Sequence, residues 1–125
     1  MKQRVEKPWG HEIIWARTDD YVGKKLFIRR GHKLSLQYHN EKEETIYLHS
    51  GEMLFTVEEN GRLVVKTLRP GDEYHIRPGT KHRMEAAQDC EVFEVSTTQL
   101  DDVVRLEDAY GRATPNASSS KEGRS

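Results

Sequence analysis

The chain has 125 residues, of which 34% are hydrophobic and 33% are charged, and its formal net charge is −1. This length suits one domain with a single hydrophobic core, and the near-neutral charge gives no basis for a nucleic-acid or membrane-surface partner. A single cysteine excludes an internal disulfide, no apolar run reaches the ~20 residues of a membrane-spanning helix, and no signal peptide is evident, which together predict a cytoplasmic protein.

Nine short runs rich in Val, Ile, Phe, Tyr and Thr predict β-strands, because these residues favour extended backbone and Gly, Pro, Asn or Asp separate the runs. The dipeptide Asn60-Gly61 is typical of a tight hairpin turn. Pro-Gly pairs within 69–72 and 77–80 predict two further turns. In chain order, the predicted strands cover residues 11–16, 24–30, 34–39, 45–50, 52–59, 62–68, 73–77, 81–86 and 90–97. This pattern predicts an all-β sandwich or barrel, and a jelly-roll barrel would close its own edges.

The C-terminal part of the chain has a different character. Residues 98–111 (TQLDDVVRLEDAYG) form the one segment in which we expect a short helical turn. Residues 113–125 are Ser-rich and polar without apolar periodicity, which predicts a disordered tail. The predicted domain therefore spans residues 1–112.

Four polar side chains have a spacing that suits a metal site. Gln37 and His39 lie two apart in a predicted strand and therefore share a face. Glu44 begins the next strand, and His82 follows the second Pro-Gly turn, so both reach the same face if the two hairpins are neighbours. Two imidazoles, one carboxylate and one amide oxygen suit Zn²⁺, Mn²⁺, Fe²⁺, Co²⁺ or Ni²⁺. The same residue types also occur on half-exposed strands without any ligand role, so the spacing alone leaves a structural interpretation open.

The surrounding frame resembles the cupin superfamily. Its first motif (Gly, five residues, His-x-His, three or four residues, Glu, six residues, Gly) matches the spacing of residues 31–51, with Gln37 in place of the first His. Its second motif (Gly, five residues, Pro-x-Gly, two residues, His, three residues, Asn) matches residues 71–86, with Arg77 and Ala86 as departures. The resemblance implies a double-stranded β-helix, the jelly-roll barrel of cupins.

With Gln37 at the first metal position, the domain resembles one subfamily, the cupin domain of type II phosphomannose isomerases. In that subfamily the first metal position is also Gln. The resemblance covers residues 7–112, and its matching stretches are KPWG 7–10, GHKLSLQYH 31–39, HSGEM 49–53, PGTKHRME 78–85 and DDVVRLEDAYGR 101–112. It implies one divalent metal, with Zn²⁺ favoured, and interconversion of mannose 6-phosphate and fructose 6-phosphate. We expect no guanylyltransferase activity, since the chain has no Gly-rich phosphate loop.

Aldose–ketose isomerisation through an enediol requires polarised substrate oxygens, a base and a grip on the remaining substrate. A metal would polarise the oxygens. Lys81 and Arg83, which flank His82, are candidates to hold a phosphate. The alternative interpretation is that both are solvated surface cations without a ligand role. Further cations expected near the barrel mouth are Arg29, Arg30 and Arg77. The base stays open among Glu85, Glu94, His49 and His75.

Two other interpretations remain beside the isomerase. A free-standing domain could isomerise or epimerise another sugar, and a non-catalytic cupin could bind a sugar or metal as a sensor or accessory module. A cupin oxygenase is disfavoured because Gln37 breaks the all-His ligand set. In each retained case we expect a sugar or sugar phosphate as ligand and a homodimer that pairs through edge strands.

Overall fold

The structure, a computed structural model, describes residues 2–113 and is all-β in that range. Its strands form two antiparallel sheets, one six-stranded in the order β1-β2-β3-β10-β5-β8 and one five-stranded in the order β11-β4-β9-β6-β7. The strands are β1 (Gln3–Lys7), β2 (Gly10–Arg17), β3 (Val22–Ile28), β4 (Leu36–Tyr38), β5 (Glu44–Ser50), β6 (Met53–Glu59), β7 (Arg62–Leu68), β8 (Glu73–Ile76), β9 (His82–Ala86), β10 (Cys90–Ser96) and β11 (Val104–Glu107). The predicted all-β class is confirmed, and the nine predicted strands correspond to β2–β10.

The predicted turns lie where the sequence places them. Asn60 and Gly61 have φ values of 54° and 77° and join β6 to β7 in a tight hairpin. Gly71 and Gly79, in the two Pro-Gly turns, also have positive φ. The amide of Gly79 donates a hydrogen bond of 2.7 Å to the carbonyl oxygen of His39. The second Pro-Gly turn is thereby fastened to the chain that follows β4, which brings the two predicted hairpins together.

Two strands were not predicted from the sequence. β1 is a charged edge strand, and it is extended because all five of its residues pair with β2. β11 lies within 98–111, where we expected a helical turn, and within residues 2–113 no helix is present. The segment is extended instead because Val104 and Arg105 pair with Tyr38 and Gln37 of β4, which satisfies their backbone hydrogen-bonding groups.

The predicted disordered tail, residues 113–125, lies outside the described residues except for residue 113. Within the described part of the chain, we find no helix whose length and apolar character would let it cross a bilayer.

The barrel interior changes from apolar to polar along three neighbouring strands. In one layer Leu26 of β3, Val92 of β10 and Leu48 of β5 are cross-strand neighbours and are buried. Two residues further along, the same face presents Lys24 and Glu94, which are paired in register and buried, while β5 still contributes the apolar Ile46 and becomes polar two residues later, at Glu44. Since residues two apart on a strand share a face, this switch builds an apolar core at one end of the barrel and a polar chamber at the other.

Cys90 belongs to the apolar end and is fully buried in β10. Burial raises the pKa of its thiol to about 11, so the thiol stays protonated at neutral pH. Reactive cysteines are thiolates in electropositive, accessible settings, and this setting indicates a structural residue.

Candidate metal centre

His39, Glu44 and His82 converge inside the polar chamber. His39 directly follows β4, Glu44 is the first residue of β5 and His82 is the first residue of β9, so the cluster joins both sheets. One oxygen of Glu44, Oε2, lies 3.0 Å from Nε2 of His39 and 3.2 Å from Nε2 of His82. All three side chains are at most 5% exposed. The three therefore form a compact, desolvated donor set that faces one point.

The outer ring nitrogens of both histidines are bound to main-chain carbonyls. Nδ1 of His39 donates to the carbonyl oxygen of Asp102 at 2.7 Å, and Nδ1 of His82 donates to that of Thr80 at 2.9 Å. Because a carbonyl oxygen only accepts, each Nδ1 carries a proton, and Nε2 is the ring nitrogen that faces Glu44. Two imidazole Nε2 atoms and a carboxylate oxygen thus meet at about hydrogen-bond distance, and a metal would take the place of the protons between them. A divalent cation fits this set of donors, and the carbonyl contacts fix the orientation of both rings as in known metal sites.

Gln37 lies beside this set. In the antiparallel pairing of β4 with β9, Gln37 is directly opposite His82, so both side chains point to the same face. It is half-buried and lines the same chamber as the other three. All four residues predicted to hold a metal therefore line one cavity.

The sequence signature of the cupin domain matches residues 28–96. This range is more than half of the chain and includes Gln37, His39, Glu44 and His82. The chain belongs to the cupin family. The double-stranded β-helix predicted from the two motifs is thus confirmed, and the described strands form its two sheets.

This cupin is similar to part of several larger proteins. It is 32% identical over 117 residues to the mannose-1-phosphate guanylyltransferase ManC of Salmonella typhimurium, covering 90% of this chain and 24% of that protein. It is 29% identical, with the same coverage, to a mannose-1-phosphate guanylyltransferase of Escherichia coli. The chain spans about a quarter of the length of these relatives. Among solved structures, KdgF from Halomonas sp. has a TM-score of 0.70 at 22% identity, covering 81% of this chain and 90% of that one, and shares the fold.

A buried lysine connects the metal cluster of this cupin to a further carboxylate. Nζ of Lys42 lies 3.3 Å from Glu44 and 3.0 Å from Glu94, and the Lys42 side chain is 6% exposed. Burial and, secondly, the nearby charge of Glu44 raise the pKa of Glu94 to about 7. Burial also acts to raise the pKa of Glu44, but the two histidines and Lys42 outweigh it and hold that pKa well below its ordinary value. Sequence reasoning placed Lys42 in a polar loop and missed it.

The chamber is a cavity of about 90 Å³ that is rich in positive charge. Besides the metal cluster, its lining includes the carboxylates of Glu12 and Glu94. Five cationic side chains also line it, namely Lys7, Lys24, Lys42, Arg105 and Arg112. The inner side chains of the metal cluster are at most 5% exposed, whereas Lys7 and Arg112 are 25% and 26% exposed. The cavity therefore runs from a buried metal cluster to a cationic outer part.

The cations predicted to hold a phosphate do not line this cavity. Lys81 is exposed, and Arg83 donates to the carbonyl oxygen of Leu34 at 3.0 Å and pairs with Glu107 at 3.4 Å, which fastens the end of β11. The other predicted cations, Arg29, Arg30 and Arg77, are exposed. Since β9 alternates, Lys81 and Arg83 point away from His82, and neither is placed to contact a ligand beside it.

Four residues were candidates for the catalytic base, and one of them, Glu94, lines the cavity. His49 and His75 are exposed, and His75 is hydrogen-bonded to Glu43 on the barrel surface. Glu85 is half-buried and lies opposite Leu54 on the face of β9 that points away from the cavity. The structure thus separates Glu94 from the three other candidates by position.

Proposed function

We propose that this cupin is a metal-dependent sugar-phosphate isomerase, with mannose 6-phosphate and fructose 6-phosphate as its substrate pair. The observation that carries the proposal is the convergence of two imidazole nitrogens and a carboxylate on one point of a cavity with five cationic side chains. The similarity to mannose-1-phosphate guanylyltransferases, whose names refer to a phosphorylated mannose, supports this class of substrate. A cytoplasmic homodimer remains our expectation.

Gln37, His39, Glu44 and His82 would hold the metal, with Zn²⁺ favoured and Mn²⁺, Fe²⁺, Co²⁺ or Ni²⁺ as alternatives. Bound there, the metal supplies polarisation of the substrate oxygens. The one carboxylate of the set leaves a dication with excess positive charge. The main-chain carbonyls of Thr80 and Asp102 keep the two rings in the ligating orientation.

Glu94 is the carboxylate we assign to proton transfer. Glu44 belongs to the metal cluster, and Glu12 is paired with Lys24 at 3.2 Å and Lys7 at 3.8 Å. Glu94 lines the same cavity and has Lys42 as its ion-pair partner. It would take the proton from carbon 2 of the aldose and return it to carbon 1, while one hydroxyl proton moves from oxygen 2 to oxygen 1, so no atom is gained or lost. Lys42 would hold the carboxylate in place during the transfer.

Purified protein reconstituted with Zn²⁺, Mn²⁺ or Co²⁺ is expected to convert mannose 6-phosphate into fructose 6-phosphate. The His82→Ala variant should lose both metal and turnover, because the change removes one of the two imidazole ligands. His49→Ala is the matched control, since His49 is exposed on the barrel surface and should leave both properties unchanged. Turnover is followed by a coupled assay and metal content by elemental analysis.

Retained turnover in His82→Ala would contradict the assigned centre. Metal-loaded protein that binds the sugar phosphate but does not convert it would refute the isomerase. That outcome would favour the non-catalytic sugar-binding module. Conversion of a different aldose phosphate alone would keep the reaction class and change the substrate.

Asp102→Ala is expected to weaken Zn²⁺ binding about 10–100-fold, although Asp102 is not a ligand. The Asp102 carboxylate accepts the backbone amides of Asn40, Glu41 and Lys42 at 2.7–3.0 Å, which holds its own carbonyl against His39. Loss of that carboxylate frees the His39 ring. A chelator-competition titration measures the change, with the exposed neighbour Asp101 as the control (Asp101→Ala). Equal affinities in the two variants would show that the Asp102 contacts do not position the ligand.

A further inference from the structure

One cation of the cavity, Arg105, is aligned with two of the candidate metal ligands across neighbouring strands. In the pairing of β11 with β4, Arg105 is directly opposite Gln37, and Gln37 is directly opposite His82 of β9. Cross-strand neighbours in an antiparallel sheet share a face, so these three side chains form one row on the interior surface. Arg105 lines the cavity at the end of this row. A guanidinium is therefore placed one strand away from the candidate metal ligands.

A second guanidinium lies close to Arg105. Arg112 lines the same cavity, and Asp108 holds it in place by two hydrogen bonds of 3.0 Å, one from Nε and one from Nη2. Burial and, secondly, the positive charge of Arg112 lower the pKa of Arg105, and the carboxylates of Asp108 and Glu12 act against this lowering. Two guanidinium groups on the wall of one partly buried cavity favour the binding of an anion there.

The opposite wall adds charge of the same sign. Lys7 and Lys24 both pair with Glu12, at 3.8 Å and 3.2 Å, so two lysines share one carboxylate. Five cationic side chains and three carboxylates line the cavity, so positive charge is in excess. This excess positive charge is partly shielded from water. Its attraction for an anion is therefore stronger than at an open surface.

An independent observation also points to a ligand. Ser35 is fully buried and lines the cavity, and its hydroxyl oxygen has no hydrogen-bond partner among the described residues. Buried polar groups are nearly always hydrogen-bonded, and a hydroxyl on a cavity wall is free to bond an oxygen of a molecule inside it. The wall beside the cations is thus suited to a ligand that is polar as well as charged.

We propose that Arg105, Arg112 and Lys7 form the recognition site for the phosphate group of the substrate, and that Ser35 hydrogen-bonds a sugar oxygen. The assignment deepens the proposed isomerase function and rests on it for the sugar, whereas the phosphate site is testable without turnover. Arginine suits this role because its planar fork binds phosphate oxygens in pairs. Phosphate recognition is therefore assigned to Arg105, Arg112 and Lys7. It is no longer assigned to Lys81 and Arg83, the residues that flank His82.

Calorimetry on the Zn²⁺-loaded protein tests the site by comparing mannose 6-phosphate with mannose, and by competition with inorganic phosphate. We expect mannose 6-phosphate to bind at least about 100-fold more tightly than mannose, and inorganic phosphate to compete with it, since two or more charge-assisted hydrogen bonds depend on the phosphate. Arg105→Gln should lose at least about 10-fold in affinity for mannose 6-phosphate while its affinities for mannose and Zn²⁺ stay unchanged. Arg77→Gln, which removes an exposed cation outside the cavity, is the control and should bind like the unmodified protein.

Lys7→Gln provides a second variant if Arg105→Gln fails to fold, because Lys7 lies on the edge strand β1 and is partly exposed. It should also weaken mannose 6-phosphate selectively. Equal affinity for mannose and mannose 6-phosphate, or an unchanged affinity in the folded variants, would overturn the assignment. Tight binding of mannose 6-phosphate without conversion would keep the phosphate site and refute the isomerase. Conversion of mannose 6-phosphate, together with unchanged affinity in the folded variants, would keep the isomerase and refute the phosphate site.

Discussion

Glu94→Gln is expected to lower the turnover of mannose 6-phosphate about 10²–10⁴-fold while Zn²⁺ affinity stays within a few-fold of that of the unmodified protein. Glutamine has nearly the same shape as glutamate but does not accept a proton from carbon at neutral pH. Glu94 lies on β10, outside the four proposed ligands, so its loss leaves the metal donors in place. The measurement is steady-state kinetics on metal-loaded protein together with a metal titration of the same preparation.

The pH dependence of stability provides a control on the fold of this variant. In the metal-free protein, burial and Glu44 raise the pKa of Glu94 from 4.5 to about 7. An acid whose pKa is higher in the folded state favours folding below its unfolded pKa, and this stabilisation is lost as the pH rises to the folded value. The contribution of Glu94 to the free energy of unfolding should therefore fall between pH 4.5 and about 7, and Glu94→Gln should remove that contribution. A variant that folds, binds Zn²⁺ and retains full turnover would remove Glu94 from the reaction.

Lys42→Met is expected to lower the free energy of unfolding of the metal-free protein by about 3–5 kcal/mol. Lys42 is the cation between two buried carboxylates, at 3.3 Å from Glu44 and 3.0 Å from Glu94. Methionine fills a similar volume but leaves Glu94 without its ion-pair partner beside the negative charge of Glu44. The change is measured by urea unfolding at pH 8, followed by the fluorescence of the buried Trp9.

Lys24→Met is the matched control for the loss of a buried lysine. Lys24 is 10% exposed and pairs with Glu12, but Lys7 remains near Glu12 after the change. We therefore expect a smaller loss than for Lys42→Met, because Glu12 keeps a cationic partner. Adding Glu94→Gln to Lys42→Met should recover much of the stability, because the unpaired buried charge is removed. Equal losses in the two lysine variants would mean that the lost packing, and not the stranded charge, sets the cost.

The cavity brings together the groups that the proposed reaction needs. His39, Glu44 and His82, the pair of Lys42 and Glu94, and the cations that include Arg105 all line it. A sugar phosphate could then present its reacting oxygens to the metal cluster and its phosphate to the outer cations. Binding energy at the phosphate would hold the carbon that loses the proton near Glu94.

The sequence by itself predicted nine of the eleven described strands and the four candidate metal ligands. Alternating apolar residues and the turns at Asn60-Gly61 and the Pro-Gly pairs act over a few residues, so they are readable without a structure. The spacing of Gln37 and His39 is of the same kind, because residues two apart on a strand share a face. Glu44 and His82 were added from their positions at a strand start and after a Pro-Gly turn, the cupin frame supported the set, and in the structure all four residues line one cavity.

Only the tertiary structure decided which charged residues surround that cluster. Lys42 lies in a polar stretch that is typical of a solvated loop, yet it is buried because the carboxylates of β5 and β10 meet beside it. β11 has no strong strand pattern, and its pairing with β4 turns Arg105 towards the cavity, while Lys81 and Arg83, adjacent to His82 in sequence, point away. These positions depend on contacts between residues as far apart as 68 positions in the chain, such as Arg105 and Gln37. Local sequence pattern carries no information about such pairs, because their energy comes from partners that only the folded chain brings together.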